Sequence, residues 1–151
     1  MRAIGRRSFI KTMATAAGGG LGGAQCANAA GPIGCGTVYR LAPPAAGATG
    51  WARTVLKRFD PTETRPSTGL LFDYAAGVLY GATSGTANGT RGSVFELVPS
   101  GSSWTYASHI FGGGADGANP IGSLLLANGT IYGTTAYGGT QGLGTIFSMV
   151  P

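Results

Sequence analysis

The side chains that could act as acids, bases or metal ligands in this 151-residue chain are few and scattered. Its five carboxylates are Asp60, Glu63, Asp73, Glu96 and Asp116. A glycosidase needs two carboxyl groups flanking the scissile bond, and no spacing among these five indicates such a pair. We therefore predict that they lie in turns and on strand faces, and that the chain has no catalytic residue.

The single histidine, His109, has no partners that would make it catalytic or metal-binding. A serine triad needs a nucleophile and an orienting acid, but the serines lie in predicted turns. A zinc site needs three or four nitrogen or sulfur ligands, more than His109 supplies together with Cys35, the one cysteine outside residues 1–29. The run 116–119 (Asp-Gly-Ala-Asn) offers too few oxygens for calcium and is typical of a turn. We predict no metal site, no cofactor-binding residue and no cofactor.

The first 29 residues have the features of an export signal. The motif consists of Arg6, Arg7, Phe9, Ile10 and Lys11 and resembles the twin-arginine pattern. A weakly apolar stretch without acidic residues follows over 12–24, and it is too short and glycine-rich for a permanent membrane helix. Ala27 and Ala29 supply the small residues of a cleavage site. We predict a cleavable signal over 1–29 and export to the periplasm, the cell surface or the medium.

Removal of this segment changes the charge balance of the chain. Four of the ten basic residues leave with it and all five acids stay, so the net charge falls from +5 to +1. The basic character of the precursor therefore belongs to the targeting segment and does not indicate a nucleic-acid-binding surface. We predict no nucleic-acid partner, and no transmembrane segment in the mature chain.

Two similar units follow the predicted signal, and a third begins as the chain ends. Residues 36–41 (Gly-Thr-Val-Tyr-Arg-Leu) recur as 92–97 and as 144–149, at spacings of 56 and 52 residues. Self-similarity at such a period is the signature of repeat architectures. The predicted organisation is a linker at 30–35, a first repeat at 36–91, a second repeat at 92–143 and the first strand of an incomplete third repeat at 144–151.

Each unit is predicted to form four short strands, because β-branched and aromatic residues alternate between glycine-rich turns. In the second unit these strands are 93–98, 104–111, 121–126 and 130–135. Asn128 and Gly129 between the last two are a strong hairpin signal, since both positions of that turn need positive φ. No stretch of the predicted mature chain holds a helical period for three turns without glycine or proline. The predicted fold class is all-β.

Four antiparallel strands in about fifty residues are typical of one β-propeller blade. The chain would then hold two blades plus one strand, whereas a propeller closes with about four to eight. Two blades alone leave apolar faces uncovered, because repeat arrays need neighbours or caps at both ends. Three interpretations stay open: a homo-oligomeric ring, a fragment of a longer repeat protein, or a fold other than a propeller.

The same motifs resemble the GloVer tandem repeat of bacterial exported and surface proteins. The second unit carries the resemblance in 111–120 (Phe-Gly-Gly-Gly-Ala-Asp-Gly-Ala-Asn-Pro), 128–135 (Asn-Gly-Thr-Ile-Tyr-Gly-Thr-Thr) and 138–139 (Gly-Gly). The first unit departs from it at 60–65, where the Asp-Gly loop is replaced. The resemblance implies an extracytoplasmic β-repeat protein and implies no activity.

The predicted function is that of an exported, non-enzymatic β-repeat module for surface structure or for binding a protein or glycan partner. One alternative is a propeller-type carbohydrate-active enzyme whose site is assembled between chains, and another is a truncated fragment of a longer repeat protein. Trp51 and Trp104 recur with the repeat. Such residues stack on sugar rings in lectins, but their large apolar area favours a place in the core.

Overall fold

The computed structural model describes residues 9–13, 36–44, 46–47, 49–59, 65–85 and 91–151. Apart from the short 3₁₀ helix η1 (Gly114–Asp116), the regular elements are β-strands. They are β1 (Phe9–Met13), β2 (Thr37–Ala42), β3 (Ala52–Arg58), β4 (Arg65–Pro66), β5 (Leu71–Asp73), β6 (Val78–Ser84), β7 (Ser93–Ser100), β8 (Ser103–Ile110), β9 (Ala118–Ala127), β10 (Thr130–Tyr137) and β11 (Ile146–Met149). The predicted all-β class is confirmed.

The strands form three antiparallel sheets in chain order. The first sheet has the order β1-β2-β3, and the last has the order β11-β10-β9. In the middle sheet the order is β4-β6-β7-β8, and β5 also pairs with β6. Both β4 and β5 pair with β6, so together they take the place that the single long strand β9 has beside β10.

The sheets do not coincide with the sequence units. The middle sheet takes β4, β5 and β6 from the unit at 36–91 and β7 and β8 from the unit at 92–143. The last sheet combines β9 and β10 of the second unit with β11 of the third. The reason is that the strand opening each unit pairs with the strand that ends the preceding unit.

The three sheets stack face to face, and two apolar clusters fill the spaces between them. The cluster between the first and middle sheets consists of Val38, Phe59, Leu79, Phe95 and Leu97. The cluster between the middle and last sheets consists of Val78, Tyr80, Ala82, Val94, Phe111, Leu124 and Ile131. Alternate residues of β6 enter opposite clusters, which explains why that strand is buried on both faces.

Two strand pairs recur with the repeat, β6–β7 and β10–β11, and each places a glycine opposite an aromatic ring. Gly81 on β6 is in register with Phe95 on β7, and Gly133 on β10 is in register with Phe147 on β11. A Cβ atom at either glycine would lie 2.4 Å from the ring's Cζ atom. The ring therefore needs a partner strand without a side chain at this position.

Hydroxyl groups join the same strand pairs at one end. The Thr83 Oγ1 atom accepts a hydrogen bond from the Ser93 amide at 3.1 Å, and the two hydroxyl oxygens lie 2.9 Å apart. Thr135 and Thr145 repeat this arrangement, with distances of 2.9 and 2.8 Å. Leaving such a buried amide without a hydrogen-bond partner costs free energy. The threonine therefore contributes to the strand pairing that recurs in the repeat.

Part of the predicted signal lies among the described residues. Phe9, Ile10 and Lys11 lie on β1, which pairs with β2. The other motif residues, the cleavage residues Ala27 and Ala29, and the linker 30–35 lie outside the described residues. Among the described residues, no helix has the length and apolar character needed to cross a membrane.

Candidate functional site

A cleft of about 620 Å³ opens where β3 of the first sheet faces the β7–β8 hairpin of the middle sheet. Its wall includes Trp104, the Arg40 guanidinium-bearing side chain, and the hydroxyl-bearing Thr54 and Ser103. The volume lies within the range of about 300–1,000 Å³ that is typical of small-molecule sites. We name this space the Trp104 cleft. Its aromatic, cationic and hydroxyl groups suit a polar ring-shaped ligand.

The turn before β8 positions Trp104. Gly101 has φ +60° in that turn, and the Ser103 hydroxyl donates a hydrogen bond to the Ser100 carbonyl at 2.9 Å. Trp104 then pairs with Pro99 across the hairpin. It is half-buried and packs against the cluster between the first and middle sheets. The ring is thus held on one side by the core while it also lines the cleft.

The two repeat-equivalent tryptophans have different environments. Trp104 packs on the core, as its recurrence predicted. Trp51 retains 52% exposure and does not line the cleft, so the core interpretation is wrong for this residue. The middle sheet, which carries Trp104, has an apolar cluster on each face, whereas in the described part of the chain the first sheet, beside which Trp51 lies, has a cluster on one face.

A second, smaller space of about 220 Å³ lies between the middle and last sheets. We name it the Glu96 groove. Its polar lining includes Tyr80, Glu96 and His109, and Ile131 and Met149 form part of its apolar wall. Pairing across β6, β7 and β8 brings the three polar residues to one face, since Tyr80 is opposite Glu96 and His109 is opposite Val94.

The tyrosine of the Glu96 groove has an altered titration. Burial raises the pKa of the Tyr80 phenol above its ordinary value, and the negative charges of Glu96 and Asp73 raise it further. Each cause disfavours the phenolate. The phenol therefore stays protonated at neutral pH and offers a hydrogen-bond donor beside the Glu96 carboxylate.

The other described carboxylates hold turns. Asp73 Oδ1 accepts hydrogen bonds from the amides of Ala75 and Ala76 at 2.8 and 3.2 Å. Asp116 Oδ2 accepts the Gly112 amide at 2.6 Å. Asp60 and Glu63 lie outside the described residues. Asp73 and Asp116 therefore stabilise backbone turns, as the sequence indicated for acids in such positions.

The glycine-rich loop that carries the family resemblance is a structural junction. The Gly139 amide donates to the Gly114 carbonyl at 2.7 Å, which joins this loop to the next glycine-rich segment. Asn119 has φ +60°. Its backbone N–H donates a hydrogen bond to the Arg91 carbonyl, and its side-chain Oδ1 atom accepts one from the Gly85 backbone N–H. The loop is thus tied to two other loops at the same end of the sheets.

No sequence motif relates Glu96 to His109, but the structure places both in the Glu96 groove. The signal that relates them is strand register, which a single sequence does not give. In the described part of the chain, no three side chains of the His, Cys, Asp and Glu types form a group suited to a metal ion.

The antiparallel sheets are stacked, and the middle and last sheets each combine strands of two successive sequence units. These features define an all-β repeat protein. The chain belongs to the Gloeobacter/Verrucomicrobia repeat family, whose sequence model matches residues 11–151. This match confirms the GloVer repeat that the glycine-rich and Tyr-Gly-Thr-Thr motifs indicated. Neither a curated protein nor a solved structure matches the chain.

Proposed function

We propose that this protein is an exported, non-enzymatic β-repeat module that binds a carbohydrate in the Trp104 cleft. The observation that carries the proposal is the composition of that cleft, which is lined by a tryptophan, an arginine and hydroxyl-bearing residues. An aromatic face packs against the C–H groups of a sugar ring, while the polar groups exchange hydrogen bonds with its hydroxyl groups. The carboxylates of Asp73 and Asp116 accept hydrogen bonds from backbone amides in turns, which favours a binding role over acid–base catalysis by these two residues.

Replacing Trp104 by alanine is expected to weaken carbohydrate binding about tenfold. The loss of one stacked ring and its buried area corresponds to about 1.4 kcal/mol, which is a factor of ten in affinity. Binding is measured by titration of the purified full-length chain with a panel of neutral and acidic oligosaccharides, followed by tryptophan fluorescence and calorimetry. The change is read as a ratio of dissociation constants for the best ligand of the panel.

Trp51→Ala is the matched control, because Trp51 occupies the equivalent repeat position but does not line the cleft. We expect its dissociation constant to stay close to that of the wild-type chain. Equal losses in the two variants, or no binding to any member of the panel, would contradict the carbohydrate site. Release of shorter products from the panel would instead support the enzyme alternative.

We also propose that residues 1–29 direct export through the twin-arginine route to the periplasm, the cell surface or the medium. The support is the ordered occurrence of the Arg6-Arg7 pair, the apolar stretch and the cleavage residues Ala27 and Ala29. Arg6→Lys combined with Arg7→Lys is expected to lower the exported fraction about tenfold, because the paired arginines are the recognised element. Cell fractionation with immunodetection measures it.

Arg2→Lys serves as the control for this export prediction, since Arg2 precedes the pair. Its exported fraction should equal that of the wild-type chain, and mass spectrometry of the exported form should show a first residue at Ala30. Unchanged export of the double variant would refute the twin-arginine route.

A further inference from the structure

Strand β2 opens a repeat unit, but its partner strand is not of the repeat type. Tyr39 on β2 corresponds to Phe95 on β7 and to Phe147 on β11, since all three follow the same Gly-Thr/Ser-Val/Ile sequence. Those two phenylalanines are each in register with a glycine, whereas Tyr39 is in register with Lys11 on β1. Strand β1 therefore lies beside β2 as β6 lies beside β7 and β10 beside β11, but it does not have the Tyr-Gly sequence that β6 and β10 share.

The hydroxyl pairing is also missing from this strand pair. Thr37 corresponds to Thr145, whose amide donates to the Thr135 hydroxyl. The register partner of Thr37 is Met13, which has no hydroxyl group. At two positions, then, β2 has the residues that face a Gly-x-Thr segment and is paired with Lys-x-Met. The residues of β2 at these two positions are those that pair with a strand such as β10.

The last sheet is incomplete beyond β11, whereas β10 has a partner of the repeat type in β11. In the middle sheet β7 has β6 on one side and β8 on the other, but among the described residues β11 has only β10. The outer face of the last sheet exposes Leu125 (61%), Tyr132 (40%) and Ile146 (84%). The middle-sheet equivalent of Tyr132 is Tyr80, which is covered by the last sheet. In the described part of the chain, this sheet has no strand beyond β11 and no sheet against its outer face.

We propose that two copies of this chain share one sheet, in which β2 and β3 of one copy pair with β10 of the other in place of β1 and β11. The repeat register predicts Tyr39 opposite Gly133, Thr37 opposite Thr135 and Arg40 opposite Tyr132. The shared sheet then has the order β9-β10-β2-β3, which reproduces the order β5-β6-β7-β8 of the middle sheet.

The arrangement also covers the exposed outer face. Val38 on β2 packs against Leu79 of its own middle sheet, so the partner strands beside it in a shared sheet face that middle sheet too. Leu125 and Tyr132 would thereby become buried as Tyr80 is. Each added copy contributes two complete four-stranded sheets, and a head-to-tail contact of this kind generates a ring when its rotation closes. Two to four copies give the four to eight sheets of a propeller.

Strand β1 must leave β2 before the exchange, and cleavage of the export signal would remove it, so in the cell this inference rests on the proposed export. The test on purified protein does not need cleavage. In the full-length chain, Lys11→Pro together with Thr12→Pro breaks the β1–β2 pairing, because N–H groups alternate sides along a strand and one of the two lost groups faces β2. Export is scored separately by fractionation.

Two single-cysteine versions of this double-proline chain, Arg40→Cys and Tyr132→Cys, are mixed and oxidised after Cys26→Ser and Cys35→Ser remove the native thiols. The proposed register places the two cysteines opposite each other, within reach of a disulfide. Thr134→Cys is the matched control, since it lies on the same strand and face but about 7 Å out of register. We expect about tenfold more cross-linked dimer with Tyr132→Cys than with Thr134→Cys.

Light scattering should show at least a twofold greater mass for the double-proline chain than for the 15.0 kDa wild-type chain. A folded double-proline chain of single-chain mass would overturn the proposal, as would equal cross-linking at the two β10 positions. Should the double-proline chain not fold, the same cysteine pairs are compared in the wild-type background over long incubation, where slow release of β1 permits exchange. Absence of the Tyr132→Cys preference there would also refute it.

Discussion

Phe95→Ala is expected to lower the free energy of unfolding by about 3–5 kcal/mol, which is the usual cost of removing a buried phenylalanine. Phe95 is 1% exposed. Its ring packs edge-on against Phe59 at a centroid distance of 5.2 Å. It also lies over Gly81, where no side chain fills the space. Truncation would therefore leave a cavity between the first and middle sheets. Chemical denaturation followed by circular dichroism measures the change.

Phe147→Ala provides a matched comparison, because Phe147 occupies the same repeat position over Gly133. Phe147 is only half-buried, because among the described residues β11 has a strand on one side only, whereas β7 lies between β6 and β8. We expect about half the loss of free energy that Phe95→Ala produces, since the transferred area and the cavity are both smaller. Equal losses in the two variants would show that the edge position of β11 does not lower the contribution of this ring to stability.

Gly92→Ala is expected to cost about 3 kcal/mol, from backbone strain and steric overlap together. Gly92 has φ +83°, a conformation that residues with side chains rarely adopt. A Cβ atom there would lie 2.4 Å from the Thr83 carbonyl oxygen and 2.6 Å from Pro120 Cδ. The carbonyl belongs to the backbone of β6 and cannot move without disturbing the middle sheet. Thermal and chemical denaturation both report the loss.

Gly69→Ala is the control for this substitution. Gly69 is exposed, has no positive φ, and no atom lies within 4 Å of the position of an added Cβ. We expect a change within about 0.5 kcal/mol, as at other unconstrained surface positions. A loss at Gly69 similar to that at Gly92 would mean that replacing any glycine of the repeat is costly, and that the left-handed backbone at Gly92 has no special role.

Local patterns in the sequence predicted the strands of the second unit closely. The predicted segments 93–98, 104–111 and 130–135 correspond to β7, β8 and β10. Asn128 and Gly129 form the expected turn with φ +51° and +74°. Strand β9 begins earlier than predicted, at Ala118, because Ala118 and Pro120 pair with β10 despite their turn-forming neighbours. Turn chemistry and alternation are local properties, so they can be read without the fold.

The sequence alone determined the all-β class, the repeat and its family, because these follow from residue types at fixed spacings. The tertiary structure decided which strands share a sheet, and the middle and last sheets therefore each combine strands of two successive sequence units. It also decided that Glu96 and His109 share a groove and that only Trp104 of the two repeat tryptophans reaches a cleft. The physical reason is that strand pairing and sheet stacking join residues distant in sequence, and equivalent repeats acquire different neighbours according to their place in the stack.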